Sequence, residues 1–320
     1  MTTLHSIEEL SRIAGPLVLA IGVFDGVHLG HRAVIERALD DAEKTNGTAV
    51  VVTFDPHPIR VLRPEFAPRL LTSTAHKIRL IRELGVRHLL VIPFDKAFAA
   101  TPPEAFITQL AAASRLLREI CVGHQWSFGK GRAGNLEMLK VFGAKLGFDE
   151  VGVPAVEVDG RIVSSTLVRQ AVESGDFATA ARLLGRDYTI LGIVVEGRRL
   201  GRTIGFPTAN LSAHNEQFPP NGVYAVGARR GATLLRGVAN IGVRPTIAGA
   251  DGERLLEVHM FDFHESLYGE DIEIVFRKFL RPERKFPSVE ALRDAITRDA
   301  ATARAVFSEK SERGKSSGLR

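Results

Sequence analysis

Two histidines, His28 and His31, share a glycine-rich run, Gly22-Val23-Phe24-Asp25-Gly26-Val27-His28-Leu29-Gly30-His31. Imidazoles that donate hydrogen bonds can stabilise charge on a phosphoryl group as it transfers. Glycines let backbone approach a ligand closely, so Gly22, Gly26 and Gly30, with Phe24 between them, are the expected phosphate contacts, and His28 and His31 are the candidate pair for catalysis on that phosphate. A metal site is disfavoured because no nearby Cys or HExxH supplies further ligands. No GxxxxGK[ST] occurs in the chain, so a P-loop lysine is not part of the chemistry.

The surrounding elements must hold that run at a sheet end. Leu17–Ile21 is a continuous apolar segment and reads as a buried parallel strand. Val34, Ile35, Ala38, Leu39 and Ala42 recur as one helix face that stops at Asn46-Gly47. The run is therefore a strand-to-helix turn, where open α/β sheets bind ligands and where a helix N-terminus suits phosphate. Further strands are read at 48–54, 87–93, 120–123 and 151–154. Ser73 or Thr74 caps an intervening helix, and Thr101-Pro102-Pro103-Glu104 reads as a capping box. This alternation predicts a doubly wound parallel sheet.

Three more stretches end near the same sheet edge. Asp55-Pro56-His57-Pro58 closes the second strand and leaves His57 beside the first turn. The loop 123–135 carries Gln125, Trp126, Phe128, Lys130 and Arg132, which suits a planar ring and a phosphate tail. After a hairpin turning at Asp159-Gly160, Ser164, Ser165 and Thr166 cap a helix. Arg169 in its first turns can bind two phosphate oxygens at once.

From about Tyr188 the pattern changes to short strands with glycine turns: 188–195, 222–228, 232–239, 255–263 and 271–279. These predict an antiparallel barrel, followed by a helix from Ser288. The domain boundary is placed at 186, with a polar tail at 309–320 expected to be disordered. The loop Gly201-Arg202-Thr203-Ile204-Gly205-Phe206-Pro207 leads to Thr208 and Asn210, which share a face if extended and could converge on Mg²⁺. Asn240 to Thr246 reads as a second polar turn. Glu257 and His259 fall on one strand face, and Arg281 and Arg284 follow the last strand.

Composition narrows the setting. The 320 residues suggest about two domains. A single cysteine, Cys121, excludes an internal disulfide and fits a reducing cytoplasm. The N-terminus has no signal-peptide pattern, and no apolar run approaches the about 18 residues of a membrane span. The net charge of +5 suits nucleotide phosphates as well as RNA. Small-molecule substrates are expected, without nucleic acid or membrane, in a monomer or weak oligomer. A flavin- or RNA-binding regulator is the reading from another class.

The HxGH turn, the TFxPHP strand end, the FGKGRxG loop and the SSTxxR helix, in that order, resemble the FMN adenylyltransferase half of bacterial bifunctional FAD synthetases. GRTIGFPTAN, PPNGVYAV, GVANIGVRPT, LEVHMFDF and LYG resemble bacterial riboflavin kinases. The resemblance implies a six-stranded barrel, with ATP and Mg²⁺ at Gly201, Arg202, Thr203, Gly205, Pro207, Thr208 and Asn210 and with Glu257 as the base. It implies ATP contacts at Ser164, Ser165 and Thr166, a catalytic role for Arg169 beside His28 and His31, and flavin contacts at His57, Gln125, Trp126, Phe128 and Arg281. ATP would be co-substrate, and riboflavin, FMN and FAD substrate and products. The sequence departs from the family pattern at Gln125, Trp126 and Asn135. The alternative is a riboflavin kinase with a weakened adenylyltransferase half.

Overall fold

The computed structural model describes residues 1–197, 201, 204–214, 217–244 and 253–316. It forms two compact units, Met1–Val168 and Arg169–Arg320.

The first unit is built on parallel strands β1 (Thr2–Leu4), β2 (Leu17–Ile21), β3 (Thr48–Asp55), β4 (His88–Pro93), β5 (Leu117–Gly123) and β6 (Asp149–Val153), in the order β1-β4-β3-β2-β5-β6. Its helices are α1 (Leu29–Lys44), α2 (Pro58–Leu62), α3 (Thr74–Glu83), α4 (Lys96–Ala99), α5 (Pro103–Ala113) and α6 (Leu136–Leu146), and β7 (Glu157–Val158) pairs antiparallel with β8 (Arg161–Ile162) in the hairpin expected at Asp159-Gly160. All five residues of β2 are buried. Alternation divides them between two cores: Leu17, Leu19 and Ile21 join Val50, Val52 and Ile120, while Val18 and Ala20 join Ile35, Val51 and Leu89. A strand covered on both faces needs this continuous apolar run. The doubly wound parallel sheet expected from the alternation is present.

Two details differ from the sequence reading. β1 is an edge strand pairing with β4, and three residues are too few to show a period. Thr101 does not cap α5, whose N-cap is Pro102 with no side-chain hydrogen bond. Pro103 drives the residue before it into an extended conformation, so the helix starts at Pro103 itself.

The second unit begins inside α7 (Ser165–Glu173), continues through α8 (Phe177–Leu184) and closes a barrel. Its strands are β9 (Thr189–Val195), β10 (Ala209–Ala213), β11 (Gly222–Arg230), β12 (Thr233–Arg244), β13 (Glu253–Met260) and β14 (Asp271–Arg281), ordered β10-β13-β12-β11-β14-β9. Pairing of β9 with β10 completes the ring. α8 docks on this barrel by stacking Phe177 on Phe276, 5.5 Å between centroids. Asn240 lies within β12 rather than in a turn, because the strand runs on to Arg244 with its pairing to β13 intact.

The last helix, α9 (Val289–Ser316), starts where Ser288 Oγ accepts from Ala291 N. Its backbone stays helical through most of the segment expected to be a disordered tail. Glu309, Lys310, Glu312 and Arg313 are polar but are good helix formers, so polarity alone misreads them.

Candidate active sites

In the first unit, His28 is the N-cap of α1, and its Nδ1 accepts from His31 N at 3.3 Å. The two rings stack at 3.6 Å, 16° from parallel. Phe24, in left-handed backbone with φ 53°, is fully buried and meets His31 edge-on at 5.4 Å. Gly22 N donates to Val52 O at the end of β2, and Gly30 lies in the first turn of α1 beside the His28 ring. Gly26 has φ +84°, and a Cβ there would stand 2.7 Å from Leu71, so no other residue fits comfortably.

The turn is tied to its surroundings from several sides. Asp25 is buried and accepts from Leu71 N and Thr72 N at 3.3 and 3.2 Å. Thr72 Oγ1 in turn accepts from Gly26 N. Ser165 Oγ donates to Asp25 O at 3.0 Å, which brings the SSTxxR motif against the HxGH turn. Ser164 Oγ accepts from Leu167 N, and Thr166 lies exposed on the first turn of α7. Arg169 opens the second unit, and its assignment rests on its place in the motif.

The expected flavin contacts are varied in setting. His57 Nδ1 accepts from Ile59 N and caps α2. Gln125 is exposed, while Trp126 stacks on Phe128 at 4.3 Å. Phe128 is 7% exposed and belongs to the core. Asn135, one of the departures from the family pattern, caps α6 by accepting from Met138 N at 2.9 Å, a task Asp performs equally well.

Lys77 escapes a motif-based reading. It lies on α3, 6% exposed, and its Nζ donates to Val23 O, Thr53 Oγ1 and Phe54 O at 3.2, 3.1 and 3.3 Å. Burial pushes its pKa down to about 8, against the pull of Asp25 and Asp55. The available signal was a cation on the helix stripe of Ile81 and Leu84.

In the second unit, one wall of the barrel opens on a cavity of about 710 Å³. Glu257 on β13 is flanked in register by Asn210 on β10 and by Asn240 on β12, and all three line the cavity. Thr208 precedes β10 at the same wall. The loop leading to it is drawn tight: Phe206 N donates to Gly201 O at 2.8 Å, and a Cβ on Gly201 would stand 2.3 Å from Phe206 O. Gly205 takes positive φ, and Pro207 O accepts from His259 Nδ1–H at 2.8 Å. Arg202 and Thr203 lie outside the described residues. Arg281 lines the cavity and forms a paired ion contact with Asp299 of α9, Nε to Oδ1 at 3.0 Å and Nη2 to Oδ2 at 2.7 Å. A smaller cleft of about 190 Å³ also touches Thr208 and is walled by Phe263, His264 and Tyr268. Phe263 and Tyr268 fall within the LEVHMFDF and LYG motifs, where the sequence alone points to no role for them, and His264 belongs to none of the quoted motifs.

Each unit thus carries a glycine-bearing turn with polar side chains beside it, and a parallel α/β sheet and a closed barrel so equipped are the fold of a two-domain transferase of phosphate groups. Residues 11–167 match the family model described as FAD synthetase, and residues 184–307 match that described as riboflavin kinase. The bifunctional riboflavin kinase/FMN adenylyltransferase of Escherichia coli K12 is 42% identical over 291 residues, 91% of this chain and 92% of its own. The Bacillus subtilis protein of the same name is 40% identical over 295 residues, 91% and 92% of the two chains. A crystal structure described as a macrolide-efflux protein from Streptococcus pneumoniae aligns with a TM-score of 0.81 at 30% identity, over 95% of this chain and 99% of that one. The chain belongs to the bifunctional riboflavin kinase/FMN adenylyltransferases. No helix among the described residues is long and apolar enough to cross a membrane.

Proposed function

We propose that the barrel phosphorylates riboflavin to FMN with ATP, and that the parallel-sheet unit transfers AMP from a second ATP onto FMN, giving FAD and pyrophosphate. The observation that carries the reading is the carboxylate of Glu257 set between two carboxamides on a cavity wall. A primary hydroxyl is a poor nucleophile, and an aligned carboxylate takes its proton as the new bond to phosphorus forms.

The larger cavity takes the flavin, and the smaller cleft takes the nucleotide base against Tyr268 and Phe263. Thr208 borders both, so the triphosphate crosses at that point. Gly201, Gly205 and Pro207 belong to the loop that covers the phosphates, and Arg202 and Thr203 are assigned to the phosphates by their place in the motif alone. Thr208 and Asn210 are neutral oxygen donors that suit a hard cation, and they would hold Mg²⁺. When bound, Mg²⁺ neutralises charge on the phosphates. Arg281 shapes the flavin end of the cavity through its grip on α9.

In the adenylyl step, an FMN phosphate oxygen attacks the α-phosphorus of ATP, and the bond to the pyrophosphate oxygen breaks. The nucleophile is already an anion, so no base is needed. His28 and His31 donate to the α-phosphate as charge builds there. The N-terminus of α1 adds its dipole, while Ser164, Ser165, Thr166 and Arg169 hold the departing pyrophosphate. Flavin contacts fall to His57, Gln125, Trp126 and Phe128, with the open face offered by Trp126.

The functional domains are 1–186 and 187–308. The enzyme works in the cytoplasm on small molecules, without nucleic acid or membrane, as a monomer or weak oligomer. FMN leaves the first site and rebinds at the second. Incubation of the purified chain with riboflavin, ATP and Mg²⁺, followed by separation of the flavins, tests this reading. FAD is the expected product. FMN alone would leave only the kinase half standing, and unchanged riboflavin would overturn both.

A further inference from the structure

We infer that Lys77 is a positioning residue for adenylyl transfer, acting through the carbonyl of Val23 to set the stacked imidazoles of His28 and His31; this rests on the reading of the first unit as the adenylyltransferase.

Lys77 Nζ reaches the ends of two adjacent strands at once. It donates to Val23 O just past β2, and to Thr53 Oγ1 and Phe54 O near the end of β3. Thr53 Oγ1 itself donates to Val23 O at 3.0 Å, so ammonium, hydroxyl and carbonyl close a triangle. An ammonium has three N–H donors, and here three acceptors meet them. The two turns fixed in this way are those carrying His28 and His57.

The link from the triangle to the imidazoles runs through one residue. Val23 O is the carbonyl that precedes Phe24, whose left-handed backbone drives its ring into the core. That ring meets His31 edge-on, and His31 stacks on His28. A carbonyl released from Lys77 and Thr53 is free to rotate its peptide plane, and the Phe24 ring and both imidazoles move with it. Misplacement of donors by about 1 Å can lower a rate by about 10²-fold. The ammonium is held away from substrate by these bonds, so its action is indirect.

The test uses the full chain, with riboflavin phosphorylation as the internal control. Lys77→Met is expected to lower the FMN-to-FAD turnover number by about 10²-fold, with the KM for ATP little changed and riboflavin kinase activity intact. The imidazole Hε1 resonances of His28 and His31, assigned with the two single alanine variants, are expected to shift. Lys77→Arg, which keeps charge and donors, is expected to recover part of the rate. Thr53→Val breaks the same triangle without unpairing the ammonium charge, and serves if Lys77→Met fails to fold; it is expected to lower turnover and shift the same resonances. Unmoved resonances and unchanged turnover with only a lower melting temperature would make Lys77 a structural strut and overturn the inference. If the parent chain itself forms no FAD, the assignment of the unit fails, while the resonances still report whether Lys77 sets the imidazoles.

Discussion

Asn210 and Glu257 sit directly opposite one another on β10 and β13, and Asn240 faces Glu257 from β12. Both neighbours across the ladder are carboxamides, and the carboxylate lies on the cavity wall, where it can accept a proton from a bound hydroxyl. Glu257→Gln keeps size and an acceptor oxygen but cannot take a proton. Kinase turnover is expected to fall by about 10²–10⁴-fold, with riboflavin and ATP binding little changed in titrations. Asn210→Ala and Thr208→Ala are expected to weaken nucleotide binding in the presence of Mg²⁺ instead. A Glu257→Gln chain that loses binding but keeps its rate at saturation would place the base elsewhere.

The imidazoles of His28 and His31 give a different kind of expectation, because they touch. Removing either is expected to lower FAD formation by about 10²–10³-fold, as loss of one charge-stabilising donor does, while FMN formation survives. Stacked groups act as a unit, so the double alanine variant is expected to be little worse than the worse single one. A strictly multiplicative loss, measured from FMN and ATP at saturation, would show two independent contacts.

The elements that carry both candidate sites are legible in the sequence, and the gaps have physical causes. The HxGH turn and the SSTxxR cap could be read because caps and glycine turns are local. That Ser165 reaches Asp25 O could not, since the contact spans the whole first unit. The sequence pattern offers Thr208 and Asn210 only as extended after a glycine- and proline-bearing loop, and it takes closure of the barrel to make Asn210 a strand residue. Asn240 reads as part of a turn because Gly242 and Pro245 follow it, while its pairing to Glu257 depends on a distant strand. Lys77 carries no mark in the sequence, because a lysine on a helix is ordinarily solvated. His259 was correctly put on the face of Glu257, but its hold on Pro207 O is a tertiary contact.

Lys77 also carries a pH signature in stability. Its pKa is pushed down to about 8 in the folded chain from an ordinary 10.5. Below about pH 8 both folded and unfolded chains hold the proton, and the burial penalty is fully present. As pH rises from about 8 to 10.5 the folded chain releases the proton while the unfolded chain keeps it, so stability gains with pH in that window. The gain is about 3 kcal/mol at most. Urea unfolding of the parent and of Lys77→Met at pH 7.5, 8.5 and 9.5 is expected to give curves whose difference changes in the parent's favour with rising pH. Parallel pH dependences would mean that the buried amine keeps its proton throughout.

The contact between α8 and the barrel sets where the kinase can be cut free. Phe177 stacks on Phe276 and meets Tyr224 edge-on at 5.7 Å, and both partners are fully buried. Tyr224 Oη in turn donates to Pro220 O, so the aromatic cluster also anchors the segment leading into β11. A chain starting at residue 187 loses α8 and exposes one face of this cluster. A chain starting at 169 retains it. The longer piece is expected to fold and phosphorylate riboflavin like the full chain. The shorter one is expected to be less stable by about 3–5 kcal/mol, the range for removing a buried Phe. Phe177→Ala in the longer piece should reproduce most of that deficit, because it removes the same ring and leaves the helix backbone. Urea midpoints of the three, with kinase rates at matched folded fraction, decide the matter. Equal stability of the two pieces would show that α8 lies on the barrel without supporting it.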